Sequence, residues 1–473
     1  MSDVTPVLDR PAESRPQLWT VTWPLLFSLA LTLSLNFVDA FFLSRISDRA
    51  AAGVGALLPL LGATLVVFSA IGQASNSVAS QLIGGRRHSE VPSTYLVLVG
   101  FNLLVGLGAS ACFVAFHRQL PAWLGLRGAM LDDAASYLGL YGGFLFLKAV
   151  QIAYGNILNS RGQTRWVLAE ALLTNLCNLT LNVAFLRGTA GLPRLGVTGV
   201  ALATVISLAV GLAFTMCVVH LKFGVHFPTA TPARVLWKRL RPILDIGIPS
   251  ALEPVSYQLM QIMINGLVIS WGPVALAARV YVLNLVMVTT VLWALAFGIG
   301  TQIAIAHRVG AGDFEDADRQ LRRALAFGVV GNFVLSSMLV LFRYRLLAPL
   351  TSDSRVQELA SSLFVVGILV ETGRAGNIVV GGALRSSGDA RYTSSVAISM
   401  MWCIGVPACF LFGRTFGLGL LGVWLGFALD EVTRAIVNYR RWRTGRWREL
   451  GIAARSRARS KRTIPTEDGD VPG

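Results

Sequence analysis

Apolar runs of 18 to 25 residues recur from about residue 17 to residue 440, separated by short polar connectors. A helix needs about 20 such residues to cross some 30 Å of hydrocarbon, so the pattern predicts membrane helices instead of the shorter amphipathic helices of a soluble core. Twelve windows qualify, at 18–43, 51–80, 92–116, 134–158, 166–186, 196–221, 246–270, 275–304, 324–342, 358–383, 393–412 and 417–438. The fold class is therefore all-α integral membrane protein. The windows divide the chain into an N-terminal segment (1–17), a six-helix lobe (18–221), a linker (222–245), a second six-helix lobe (246–440) and a tail (441–473). Within the linker, Ala233 to Leu244 carries Trp237, Lys238, Arg239 and Arg241 between Pro232 and Pro242, the pattern of an amphipathic interfacial helix.

Composition narrows the picture. With 54% hydrophobic and 14% charged residues and a mean hydropathy of +0.61, nearly the whole chain is committed to lipid, which excludes a soluble enzyme on a membrane anchor. The net charge of +16 sits in the connectors and in one cluster after Arg440. If the N-terminus is cytoplasmic, the inner connectors hold 27 Lys and Arg and the outer ones 10. Positive-inside topology accounts for this distribution better than nucleic acid does. The chain is expected to be a multi-pass protein of the cell's inner (plasma) membrane with both termini cytoplasmic, and its tail disordered past about residue 460. The cysteines Cys112, Cys177, Cys217, Cys403 and Cys409 lie in apolar runs without metal-ligand spacing. Gly417-Leu-Gly419-Leu-Leu-Gly422 matches a dinucleotide pattern, but no strand precedes it, and there is no P-loop.

A duplication survives without gaps. Leu158-Asn-Ser160-Arg-Gly162-Gln-Thr-Arg165 lies against Leu384-Arg-Ser386-Ser-Gly388-Asp-Ala-Arg391 at an offset of 226, and the same shift pairs Gly72 with Gly298, Gly84 with Gly310 and Cys177 with Cys403. Each copy holds six spans, an even number, so both enter the membrane in one orientation. That is a parallel-repeat transporter plan.

The residues resemble the multidrug and toxic compound extrusion (MATE) transporters over about residues 18 to 445. The resemblance rests on Asn36-Phe-Val-Asp39 followed by Ala50-Ala-Ala-Gly-Val-Gly-Ala56, on Gly272-Pro-Val-Ala-Leu-Ala-Ala278, on Gly310-Ala-Gly-Asp313 and on Ala383-Leu-Arg-Ser-Ser-Gly-Asp389. It implies two six-helix lobes forming a V around a central cavity, and extrusion of bulky, often cationic compounds in exchange for H⁺ or Na⁺.

An ionised carboxylate at membrane depth needs a partner or water. The second lobe sets Glu253 and Glu371 against Arg279 and Arg374, which can cancel, and Glu371 and Arg374 are i, i+3 on one helix face. The first lobe sets Asp39 and Glu170 against Lys148 alone, so one acid is left over. Glu170 lies near the cytoplasmic start of its span, whereas Asp39 lies about 6 Å from the outer end of the first span, at the depth of Asn182 with Asn178 one turn below. Asp39, Asn178 and Asn182 are therefore the ion-coupling candidates. The resemblance points to the same positions and adds Thr204, but it expects a second acid where this chain has Asn182. One titrating group favours H⁺ over Na⁺. The resemblance's acids in spans 7 and 10 fall on Tyr257 and Arg374, so no second sodium site is expected. Tyr137, Tyr141, Lys148, Tyr257, Glu253, Glu371 and Arg374 are the candidate cavity residues, with Lys148 expected to face the cavity or Glu170.

The reading is a transporter and not an enzyme: a proton-coupled multidrug exporter of amphipathic, cationic compounds that needs no cofactor. It is expected to work as a monomer, with the lipid bilayer and a small-molecule cargo as its partners. The alternative on the same fold is a flippase or exporter of anionic, lipid-linked or natural-product cargo, suited by the repeat-equivalent Lys148 and Arg374.

Overall fold

The computed structural model describes residues 15–188, 194–228 and 230–451. The polar N-terminal residues before Arg15 and the tail expected to be disordered past 460 lie outside the described residues. Helix covers each of the twelve apolar windows: α1 (Leu18–Ile46), α2 (Asp48–Gly84), α3 (His88–Ala115), α4 (128–160), α5 (Thr164–Arg187), α6 (Gly196–Lys222), α7 (Ala233–Ile269), α8 (Pro273–Ala311), α9 (Phe314–Leu341), α10 (Ser354–Ser386), α11 (Ala390–Thr415) and α12 (Gly419–Arg443). Among the described residues, nine of them are long and apolar enough to cross a membrane; α4, α7 and α12 carry too many charges or too little apolar length to meet that measure.

The expected linker helix runs without a break into the seventh span, as α7, through Pro242, Pro249 and Pro254. An interior proline removes one backbone donor and pushes on the preceding turn, so α7, like α1 with Pro24, has a built-in place to bend.

The helices turn an apolar surface outward. Phe37, Leu104, Leu221, Ile262 and Leu341 are exposed, while Asn76, Asn102, Asn178, Asn332 and Glu371 are buried. This inside-out distribution suits a solvent of hydrocarbon. Within the first half α1 packs on α5, α5 on α6 and α3 on α4; within the second, α10 packs on α12, α9 and α8.

The halves meet at the end of the bundle where α1 begins and α12 ends, termed the basal end. There Val21 and Leu25 of α1 cluster with Ala296 and Ile303 of α8. Gln302 Nε2 donates to Ser77 Oγ (2.7 Å) and to the Gln73 carbonyl (3.1 Å) across the same boundary. A Cβ at Gly247 of α7 would come within 2.9 Å of Ile71, so glycine lets α7 close on α2. Toward its distal end α1 leaves the second half and joins α5, and that is where it delivers Asp39.

Candidate functional site: two buried polar centres

In the first half, four buried side chains converge from three helices. Asp39 Oδ1 accepts from Asn178 Nδ2 (3.2 Å) and from Asn182 Nδ2 (3.0 Å), and Asp39 Oδ2 accepts from Thr204 Oγ1 (2.9 Å). Asn182 Nδ2 also donates to Asn178 Oδ1 (2.9 Å). Spacing explains the convergence: Asn178 and Asn182 are one turn apart on α5 and form a ladder on the face that α1 covers. Among the described residues, the Asp39 carboxylate accepts hydrogen bonds only from neutral donors. One acceptor of the cluster, Asn182 Oδ1, is buried with no hydrogen bond among the described residues.

Tyr137 and Tyr141 lie on α4 with ring centroids 5.6 Å apart. Residues 138–142 form a wide π turn there, which re-aims the helix beside the carboxylate. Lys148 is not part of this cluster. Its Nζ donates to Gln151 Oε1 (2.9 Å), and Gln151 Nε2 donates to Glu170 Oε1 (2.5 Å), which also accepts from Thr174 Oγ1 (2.7 Å). Lys148 thus reaches Glu170 through a glutamine. A Cβ at Gly211 of α6 would stand 2.7 Å from Glu170 Oε1 and 2.8 Å from Gln151 Nε2, so the missing side chain makes room for this network.

The second half is built differently. Arg374 of α10 donates to Glu371 (2.8 Å) and, through Nε, to Glu431 of α12 (3.1 Å). Arg434 donates to Asp430 (2.5 Å) and stands 3.3 Å from Glu431. Asn377 Nδ2 donates to Glu431 Oε2 (3.0 Å), and Thr290, on another π turn, donates to Glu371 (3.0 Å). Glu371, Arg374, Asp430, Glu431 and Arg434 line a cavity with Tyr257, Gln261, Trp424 and Phe427.

The two-against-two balance expected of this lobe is corrected here: Asp430, Glu431 and Arg434, buried midway along α12, belong to the same network. A signal was available, since three ionisable residues fall within about one turn of an otherwise apolar run. They carry two negative charges and one positive, so by formal charge these three residues add one acid in excess to the second half. Glu253 is a second correction. It pairs with Arg385 (3.2 Å) and does not line the cavity that holds Tyr257, Glu371 and Arg374. Arg279 Nη2 donates to the neutral Gln261 (2.7 Å), and Gln261 donates to the Tyr257 hydroxyl.

A family model described as MatE matches residues 24–184 and 249–411. An "Uncharacterized transporter YisQ" of Bacillus subtilis (strain 168) is 32% identical over 448 residues, covering 94% of this chain and 98% of that protein. A "Probable multidrug resistance protein NorM" of Thermotoga maritima is 24% identical, covering 94% and 96%. Among solved structures, "Outward-facing conformation of a multidrug resistance MATE family transporter of the MOP superfamily" superposes with a TM-score of 0.83 at 18% identity, over 92% of this chain and 96% of that one.

Proposed function

The chain belongs to the MATE family of membrane transporters, and on that premise we propose that it is a secondary active multidrug exporter. It moves bulky amphipathic, cationic compounds out of the cell against protons bound at Asp39. The observation that carries this reading is the Asp39 cluster: a buried carboxylate held only by two amides and a hydroxyl can gain or lose a proton without breaking an ion pair. A single acid surrounded by donors offers little to a dehydrated Na⁺, which needs several oxygen acceptors. The basal end faces the cytoplasm, so the described state is closed inward, and the distal end, which Asp39 approaches, faces out.

The decisive experiment uses proteoliposomes with imposed gradients. Efflux of a cationic dye should follow ΔpH at equal Na⁺ on both sides. Transport driven by a Na⁺ gradient at constant pH, with none driven by ΔpH, would overturn the ion assignment.

One observation favours a second reading, export of anionic or lipid-linked cargo. The Arg279 guanidinium is buried against a neutral glutamine with its Nε unpartnered, a cation whose counter-ion could arrive with the cargo. Competition of the same efflux by anionic rather than cationic compounds would select it.

A further inference from the structure

The two halves touch at the basal end through contacts that obey the sequence repeat. Gln81 and His307 are equivalent at the offset of 226, as are Ser160 and Ser386, and Gly84 and Gly310. The Gln81 side chain of α2 donates through Nε2 to the Ser386 carbonyl of the second half. His307 Nε2 of α8 donates to the Ser160 carbonyl of the first half (2.8 Å). A carbonyl only accepts, so the Nε2 proton of His307 is fixed. The acceptors share an origin: Ser160 and Ser386 lie in the last turns of α4 and α10, where a helix leaves its own carbonyls without intrahelical donors, and the Ser160 carbonyl accepts in addition a longer bond from Ser80 Oγ of its own half (3.3 Å). The glycines obey the same symmetry. A Cβ at Gly84 would overlap the His307 carbonyl, and one at Gly310 would overlap the Gln81 carbonyl, so α2 and α8 cross at backbone contact.

We propose that this reciprocal pair, Gln81 on Ser386 and His307 on Ser160, is the latch of the basal gate and sets the balance between basal-closed and basal-open states of the transport cycle. This rests on the transporter reading, because only a cargo path that alternates needs a gate here. The position makes the latch reversible. When the halves part, water at the membrane surface can hydrogen-bond both freed carbonyls and both freed donors, whereas the same groups at mid-membrane would be left bare. The close glycine crossing makes closure all-or-none, since the two backbones either seat fully or separate.

The symmetry supplies the test. Each donor can be replaced by the residue that its repeat partner uses. Hydrogen–deuterium exchange of the full chain in nanodiscs needs neither cargo nor an ion gradient, so its failure is distinct from failure of the antiport reading. The double variant Gln81→Leu with His307→Leu should exchange residues 77–84 and 302–310 about tenfold faster, with slower exchange at the distal segments 34–42 and 260–268 as the other side closes. His307→Gln should keep the wild-type pattern, because its amide can still donate to Ser160. Unchanged basal exchange in the double variant would overturn the proposal. So would faster exchange at basal and distal ends alike, basal opening without distal protection, or a His307→Gln variant as open as His307→Leu.

Discussion

The two polar centres occupy one duplicated frame and spend charge in opposite ways. Lys148 and Arg374 are repeat equivalents, and so are Gln151 and Asn377. In both halves the amide reaches an acid, Glu170 on α5 in the first and Glu431 on α12 in the second. There the likeness ends. In the second half Arg374 and Arg434 clamp Glu371, Asp430 and Glu431, so protonating any of these acids would weaken an ion pair. In the first half Asp39 has no cation, and its repeat equivalent is the neutral Asn265. A duplication thus provided two equivalent helical frames. Substitution left one with an acid held only by neutral donors and the other with three acids bound to two guanidinium groups.

The sharpest way to break this contrast is Asp39→Asn. The amide keeps the volume and loses the titrating proton, so efflux should fall to the level of empty vesicles while expression and thermal stability stay near wild type. Full-rate efflux that still depends on pH, measured at matched expression, would place the coupling ion elsewhere.

The next largest effect is on folding. Arg374→Met strips the cation from between Glu371 and Glu431 and should cost roughly 3–5 kcal/mol, because buried carboxylates are left uncompensated. Thermal unfolding in detergent reads it directly, and a shift no larger than that of a surface mutation would mean the network is solvated. Its repeat equivalent, Lys148→Met, leaves the buried Gln151 Oε1 without its donor and should cost less, about 1–3 kcal/mol. It should alter cargo preference and leave the pH profile of efflux nearly unchanged. A large displacement of that profile would tie Lys148 to Asp39, contrary to the hydrogen bonds described.

The smallest effect lies outside the membrane. Asp313, in the connector before α9, is held below its ordinary value of 3.8 by its bond to Arg15 and by the Asp316 backbone N–H. A depressed carboxylate stabilises the fold fully above its ordinary value and loses that contribution as the pH falls through the lowered one. The pair is solvent-exposed and screened, so Asp313→Asn should cost only a few tenths of a kcal/mol up to about 1 at neutral pH, and progressively less as the pH falls through the lowered value. Melting curves of the variant and wild type should therefore converge on acidification.

Much of this was legible along the chain. Length and hydropathy fix where helices cross lipid, because the hydrocarbon tolerates no unpaired backbone and the required run is long. A constant offset of 226 is visible without a structure, and the excess of one acid over bases in the first half singles out Asp39 or Glu170. The i, i+4 spacing of Asn178 and Asn182 places both on one face of α5, a local property of a helix. Contacts between helices are another matter. That Thr204 completes the Asp39 cluster followed only from a family resemblance. The entry of Asp430 and Glu431 into the Arg374 network, and the pairing of Glu253 with Arg385 in place of a cavity role, depend on how α12, α10 and α7 rotate about their own axes. Packing against neighbours sets that rotation, and hydropathy does not encode it, because a buried ion pair and a hydrated one read alike in sequence. The reciprocal bonds of Gln81 and His307 show the division plainly: the sequence by itself determined that the two residues are equivalent, and only the tertiary structure decided that each reaches across to the other half, where a helix end leaves a carbonyl in need of a donor.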